Sequence, residues 1–261
     1  DQLYRISGQL KGTVGDLSIK NVDLRFGKIS AINGDFIFFG LPEIKETFID
    51  INCKEAILEP EDVVKYLPKK YHSRIQNVGK VNFKGQFLGF PTDFVSNGIF
   101  DTEAGFIKSD INFKLAEDNT AFYSGNLMLK RFDLGQVLNK EETFQKIYLN
   151  GEIKGHGLEL NNATFHLTSD IDTLGINGYN YSNIHTNGDL ANEYYEGELE
   201  VKDPNLTFNG QVKIDIRSNV DRINITACLD SLRLKPLGFS DKNIFMSSHI
   251  NIDIKGFDID S

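Results

Sequence analysis

Apolar and polar residues alternate along most of the chain, so that every second side chain is apolar. The alternation is clearest in residues 22–26, 111–115 and 212–216. A period of two residues is typical of β-strands with one buried and one solvated face. Clean alternation also favours antiparallel pairing. The pattern indicates roughly fifteen to twenty short strands, and it predicts an all-β protein built on a mainly antiparallel sheet.

Short breaks in the alternation predict helical interruptions near residues 59–68, 133–140 and 233–239. The first of these begins at Glu59-Pro60 with two acidic residues following, and it ends at Pro68. Proline and acids at the start, with proline at the end, are typical of a two-turn helix. None of the three segments is long enough to cover a large sheet. We therefore treat residues 1–261 as one continuous repeating segment.

A five-residue unit, apolar-x-Gly-polar-apolar, recurs at least eight times. A hairpin at the Asn-Gly copies would pair Phe208 with Gln211, an apolar with a polar residue. A strand that continues through the glycine keeps Phe208, Gly210 and Val212 on one face, so we favour glycine inside strands. Such glycines mark bends or close approaches, and the repeat predicts a strongly curved sheet. The central glycines are Gly8, Gly34, Gly85, Gly125, Gly151, Gly188, Gly197 and Gly210.

Charge and cysteine content narrow the classes of function. The chain has 261 residues and a net charge of −9, whereas nucleic acids and anionic membrane surfaces attract basic proteins. No nucleic-acid partner is therefore expected. Two cysteines are too few for a disulfide scaffold or a four-cysteine zinc site. No apolar run reaches 18 residues, and the chain begins at Asp1 without a signal peptide, which we interpret as a segment of a longer protein or a processed form.

Candidate catalytic and metal-binding residues are few. No histidine has a second ligand at metal-binding spacing, and the acids are scattered over outward-facing positions. Nucleophile elbow, P-loop and EF-hand motifs are absent from the sequence. We therefore expect no catalytic residues, no metal and no cofactor. The five histidines are His72, His156, His166, His185 and His249.

The predicted inner face is rich in large apolar side chains. Such a face can pack on a second sheet, close into a barrel, or form a trough that meets an apolar ligand. The repeated glycines and the scarcity of helices favour the trough. Its predicted lining comprises Phe83, Phe87, Phe113, Leu127, Leu129, Leu149, Ile153, Phe165, Leu167, Leu190, Leu199, Phe208, Val212, Ile214, Ile223 and Ile225.

Four stretches of the chain resemble a known family. They are residues 8–27, residues 40–44 around Pro42, residues 85–94, and residues 178–184 followed by Gly188 and residues 203–206. The break at residues 132–135 also fits. In repeat order and spacing the chain resembles the TamB/AsmA-like proteins of the Gram-negative envelope. These belong to the repeating-β-groove, or bridge-like lipid transfer, proteins.

The resemblance implies an elongated sheet folded like a taco around an open groove that binds phospholipid acyl chains, without enzymatic activity. It implies a periplasmic location, within a protein anchored in the inner membrane that carries lipid to the outer membrane. Regions outside the segment would contact an Omp85-type outer-membrane protein, as in the translocation and assembly module. The chain would be a middle segment of this bridge.

Two other functions remain open from the sequence. The chain could be a chaperone-like scaffold that assembles outer-membrane β-barrel proteins by pairing its strands with those of its clients. It could also be a carbohydrate-active or adhesin β-solenoid. For that function the only aromatic candidates are Tyr179, Tyr181, Tyr194 and Tyr195.

Overall fold

The computed structural model describes residues 4–67, 69–157, 162–217 and 221–256. These residues form one sheet of fifteen strands, in which every strand pairs antiparallel with its neighbour in sequence. The all-β, antiparallel prediction is thus confirmed. The sheet is not closed, because within the described residues the outer edges of the first and last strands have no strand partner.

The strands are 9 to 13 residues long and are joined as a meander. They are β1 (Arg5–Thr13), β2 (Asp16–Phe26), β3 (Ser30–Phe39), β4 (Phe48–Leu58), β5 (Val81–Phe90), β6 (Asp93–Thr102), β7 (Gly105–Leu115), β8 (Ala121–Asp133), β9 (Phe144–His156), β10 (Thr164–Ile176), β11 (Tyr179–Ala191), β12 (Tyr194–Asp203), β13 (Leu206–Asp215), β14 (Arg222–Arg233) and β15 (Phe245–Lys255).

Helices occur only where even-numbered strands end, as far as the described residues extend. The β4–β5 connection holds α1 (Pro60–Val63) and α2 (His72–Val78), with 3-10 turns at Val64–Tyr66 and Lys69–Tyr71. The β8–β9 connection holds α3 (Leu134–Leu138). In a meander all these connections lie along one margin of the sheet, which we call the helix rim. The opposite margin, the hairpin rim, carries a 3-10 turn at Ile44–Glu46 in the β3–β4 connection.

The predicted helical interruptions differ in outcome. Residues 60–66 and 134–138 are helical, close to the predicted 59–68 and 133–140, although Pro68 lies outside the described residues. The prediction near 233–239 is wrong, because this segment forms turns after β14. Gly238 there adopts a positive φ of 80°, a conformation that ends rather than extends a helix. The helix α2 was not predicted.

The eight repeat glycines lie inside strands, which confirms the choice against hairpins. A Cβ on Gly85 would sit 2.2 Å from the carbonyl oxygen of Asn97, and one on Gly197 would sit 2.4 Å from the Cα of Gly188. Facing Cβ atoms in an ordinary antiparallel pair are about 4.5–5.5 Å apart. Neighbouring backbones therefore approach unusually closely at the glycines, which is consistent with a curved sheet.

The main cluster of buried apolar side chains lies largely on β8–β12, with Ala104 of the β6–β7 turn beside it. Leu134 and Val137 of α3 pack against this cluster, so the short helix covers part of the sheet that strands alone leave open. The cluster consists of Ala104, Leu129, Phe132, Ile147, Leu149, Leu167, Ile171, Ile184 and Val201.

Candidate functional site: the apolar face of the sheet

Strand register places the sixteen predicted lining residues on one face, which we call the apolar face. One row of cross-strand pairs follows the helix-rim side, and a second follows the hairpin-rim side. The first row runs Phe83, Phe100, Ile107, Leu129, Leu149, Ile171, Ile184, Val201, Phe208 and Leu229. The second runs Phe94, Phe113, Tyr123, Gly155, Phe165, Leu190, Tyr195, Ile214 and Ile223.

Most side chains of the apolar face are only partly shielded from solvent. Of the sixteen predicted lining residues only Leu129, Leu149, Leu167 and Val212 are buried, and the other twelve are partly exposed. Because all described strands belong to one sheet, no second sheet among the described residues covers this face. A sealed β-sandwich core would instead bury these side chains fully.

Phenylalanine rings form the apolar face of β5–β7. The ring centroids of Phe83 and Phe100 are 4.7 Å apart, and Phe94 lies 4.5 Å from Phe87 and 4.8 Å from Phe113. Rings at these distances attract each other beyond their shared burial. The result is a continuous aromatic surface across three strands.

Some glycines of the apolar face do not leave open space above the backbone. A Cβ on Gly98 would lie 2.5 Å from the Phe83 ring, and a Cβ on Gly188 would lie 3.1 Å from the Tyr195 ring. The neighbouring aromatic rings therefore lie over these two glycines. The row of cross-strand pairs that passes through Gly98 carries only small residues from β3 to β7. They are Gly34, Cys53, Gly85, Gly98 and Ser109.

The few polar groups on the apolar face are uncharged hydroxyls. Thr186 Oγ1 and Tyr195 Oη are 2.8 Å apart, and burial raises the pKa of Tyr195. The hydroxyl of Ser169 is buried without a hydrogen-bond partner. Between the two rows from β5 to β14 the paired positions carry no charged side chain. The surface therefore suits hydrocarbon better than a charged ligand.

Two histidines of the opposite, polar face contact aspartate carboxylates at exposed positions. His166 Nδ1 lies 2.9 Å from Asp189 Oδ1, and His185 Nδ1 lies 2.8 Å from Asp170 Oδ1. No group of three or more potential metal ligands occurs in the described part of the chain. Cys53 is buried and Cys228 is exposed, both as free thiols.

A buried carboxylate, missed by sequence analysis, joins α1 to the β2–β3 turn. Asp62 is 3% exposed and accepts hydrogen bonds from the backbone N–H groups of Lys28 (2.8 Å), Ile29 (3.2 Å) and Ser30 (3.2 Å). Burial by itself raises the pKa of Asp62. The hydrogen bonds to the carboxylate outweigh this effect and lower the pKa to about 2. Asp62 is thus a structural anchor of the helix rim. Its only sequence signal is its place in the first turn after Pro60.

A second buried carboxylate organises the turn after β12. Asp203 accepts hydrogen bonds from the hydroxyl groups of Tyr179 (2.6 Å) and Ser182 (2.8 Å) and from the backbone N–H of Asn205 (2.8 Å). Burial opposes ionisation, yet these donors keep the pKa of Asp203 below its usual value. Tyr179, one of the four tyrosines considered for carbohydrate binding, therefore donates a hydrogen bond to a structural carboxylate.

Two cavities lie outside the phenylalanine rings of the apolar face. One of about 250 Å³ is bounded by Asp133, Gln136 and Glu141 beside α3. The other, of about 440 Å³, is lined by Lys84, Gln86, Asn97 and Lys108 of the polar face and also by small residues of the apolar-face row, namely Cys53, Gly85, Gly98 and Ser109. Neither includes the phenylalanine rings of the apolar face.

The apolar face, which spans β5 to β14, is the candidate site that strand register assembles in the described residues. Comparisons of the chain with protein-family models, curated proteins and solved structures find no match. Among the helices of the described residues, none has the length and apolar character needed to cross a membrane. The resemblance to TamB/AsmA-like proteins thus stays a prediction. The apolar face is the structural basis for the function proposed below.

Proposed function

We propose that the chain is a non-enzymatic groove for phospholipid acyl chains, with the apolar face as its lining. In this proposal the curvature at the glycines folds the sheet into an open, taco-like trough. The trough forms the middle segment of a TamB-like, periplasm-spanning bridge that carries lipid from the inner to the outer membrane. The observation that supports it best is the continuous apolar face, on which most side chains remain partly accessible to solvent.

Burial of hydrocarbon supplies the affinity for acyl chains. Each methylene moved from water to an apolar surface contributes about 0.8 kcal/mol. Rows of cross-strand pairs run perpendicular to the strands, so an acyl chain lying along a row would contact several strands at once. Because no charged side chain interrupts the rows between β5 and β14, the tail can bind anywhere along them. The charged headgroup stays in water, where its hydration is kept.

A matched pair of phenylalanine variants tests this proposal. Phe113 lies on the apolar face of β7, and Phe122 lies on the polar face of the adjacent β8, where it is 47% exposed. The Phe113→Glu variant places a charge among the bound methylenes, whereas Phe122→Glu places it in water. Delipidated protein of each kind is titrated with a phospholipid that carries a fluorescent acyl chain.

We expect Phe113→Glu to weaken uptake roughly 10-fold or more, since an unpaired charge is costly in an apolar site, and Phe122→Glu to bind as the parent does. Circular dichroism checks that both variants fold. Equal uptake by both variants, or no uptake by the parent protein, would refute the groove.

The alternative function is a chaperone-like scaffold for outer-membrane β-barrel proteins. It is favoured by the unpaired outer edges of β1 and β15 within the described residues, because an open edge can pair with a client strand. Photocrosslinkers at Gln9 of β1 and Phe113 of the apolar face separate the two functions. Crosslinks from position 9 to an unfolded β-barrel protein support the scaffold, and crosslinks from position 113 to phospholipid support the groove.

A further inference from the structure

The polar face carries an unexpected apolar area near the hairpin rim. We call it the aromatic patch, and it consists of Phe39, Phe48, Leu88, Phe90 and Val95. Four of its members are conspicuously exposed, namely Phe39 and Leu88 at 45% and Phe90 and Val95 at 42%. The patch lies on the side of the sheet opposite to the proposed groove, so acyl-chain binding does not account for it.

Strand register makes the patch contiguous. Phe39 of β3 pairs with Phe48 of β4, and Leu88 of β5 pairs with Val95 of β6. The ring centroids of Phe48 and Phe90 are 5.5 Å apart, and those of Phe39 and Phe48 are 6.5 Å apart. The five side chains thus form one surface across four strands.

The same face further along the sheet provides an internal comparison. Two adjacent rows on β10–β13 carry only polar side chains, namely His166, Asp189, Glu196 and Lys213 in one row and Thr168, Asn187, Glu198 and Gln211 in the other. The fold therefore does not require apolar residues on this face. Contiguous exposed apolar patches are uncommon on soluble proteins and mark interaction sites.

Acidic side chains accompany the patch. Asp50 lies within it, paired with Leu88, Asp93 pairs with Phe90, and Asp16 pairs with Phe39. A basic side chain near these acids, Lys114, is already engaged with Asp93 at 3.6 Å. At the patch itself the three acids outnumber this one lysine, which disfavours an anionic bilayer and favours a partner with basic groups.

The size of the patch argues against a stable dimer of this chain. An apolar area on the order of a few hundred Å² matches functional patches on monomers. A stable interface buries about 800 Å² on each partner. The patch therefore fits a single polypeptide segment that binds weakly or transiently.

The neighbouring cavity extends this surface. Gln86 and Asn97, which line the 440 Å³ cavity, lie two residues along their strands from Leu88 and Val95 of the patch. A segment that runs along β5 and β6 would cross the patch and then reach Lys84 and Lys108, so its basic side chains belong at Asp50 and an uncharged or acidic one at the cavity.

We propose that the aromatic patch docks a segment of another protein that combines apolar with basic side chains. The apolar residues would cover the exposed rings, and a lysine or arginine would face Asp50. This proposal is independent of the acyl-chain groove, because the two surfaces lie on opposite faces of the sheet.

The first experiment identifies what covers the patch. A photocrosslinking amino acid is placed at Phe90 of the full-length protein in cells that naturally express it, and at Phe122 as the control. Phe122 is also exposed on the polar face but lies outside the patch. Mass spectrometry then identifies the crosslinked species. We expect position 90, and not position 122, to crosslink to one discrete segment containing apolar and basic residues.

The second experiment measures the binding of that segment. Its synthetic peptide is titrated against the purified chain by fluorescence anisotropy. We expect Phe90→Ser and Asp50→Lys each to weaken binding roughly 10-fold, as loss of a central contact does, and Phe122→Ser to leave it unchanged. Acyl-chain uptake should be the same in all three variants, and thermal melts check their folding.

Several outcomes would overturn the proposal. These are crosslinks from position 90 only to lipid, only to a second copy of this chain, or at no higher yield than from position 122. Peptide binding that survives both Phe90→Ser and Asp50→Lys would also overturn it. A loss of acyl-chain uptake with intact peptide binding would instead count against the independence of the two faces.

Discussion

Individual polar residues hold the helix rim to the sheet. Asp62 fixes α1 by accepting three backbone hydrogen bonds from the β2–β3 turn, and Ser30 adds a fourth link by accepting a hydrogen bond from the Glu59 backbone at 2.9 Å. Hydrogen bonds to a buried charged group contribute more than neutral ones. The stability of this rim should therefore depend on the ionisation of one carboxyl group.

The Asp62→Asn variant tests this dependence. At pH 7 we expect it to unfold about 2 kcal/mol more easily than the parent, because an amide oxygen accepts the same hydrogen bonds without a charge. The pKa of Asp62 in the folded protein is about 2, lower than the value of about 4 in an unfolded chain. Its contribution is therefore complete above pH 4 and is lost as the pH falls from about 4 to 2.

Urea unfolding at pH 7, 4 and 2.5 measures this effect. The difference between parent and Asp62→Asn should shrink as the pH falls, whereas Asp101→Asn, a change at an exposed residue, should behave as the parent at every pH. A constant difference across the series would show that the charge of Asp62 is not the cause.

At the level of strands, glycine permits the close approach of neighbouring backbones. Gly188 and Gly197 face each other across β11 and β12, and a Cβ on Gly197 would be 2.4 Å from the Gly188 Cα. We expect Gly197→Ala to destabilise the protein by about 1–3 kcal/mol, since the added methyl group must push the two strands apart.

Gly15→Ala is the matched control for this strand variant. Gly15 lies in the β1–β2 turn, where the nearest atom to an added Cβ is 4.0 Å away. Its unfolding free energy should stay close to that of the parent. If Gly197→Ala unfolds at the same denaturant concentration as Gly15→Ala, the close approach at Gly188 has no energetic consequence.

The sequence predicted elements best where their periodicity was unambiguous. Alternation identified strands such as β7 and β13, whose residues 111–115 and 212–215 alternate most clearly. The helix α2 was not predicted because Ile75 and Val78 are the only residues in 72–78 that could form an apolar stripe. The helix predicted near 233–239 is absent because Pro236 and Gly238 within that segment favour turns.

The candidate surfaces were predictable only in part. The apolar face follows directly from alternation, since one register places all its residues together. The aromatic patch does not, because Phe36-Ile37-Phe38-Phe39 is a continuous apolar run in which periodicity cannot assign faces. Asp62 depended on a contact between segments about 32 residues apart, which no local pattern reveals.

The molecule as a whole exposes more surface than a compact protein would. Its solvent-accessible area is 16308 Å², compared with about 11,500 Å² for a compact monomer of this mass. The excess agrees with one sheet whose apolar face lacks a covering layer. The molecule should therefore be elongated in the direction in which the strands follow one another.

Small-angle X-ray scattering of the delipidated chain tests this whole-molecule expectation. Fifteen strands at about 4.8 Å spacing extend on the order of 70 Å, whereas a compact chain of this length has a radius of gyration of about 18 Å. We expect a radius of gyration above 20 Å and a pair-distance distribution with the long tail of an elongated particle. A bound phospholipid should leave both nearly unchanged, because a tail lying in an existing groove adds mass without moving strands. A radius near 18 Å would mean that the sheet closes on its own apolar face, and the groove would then have no room for a lipid.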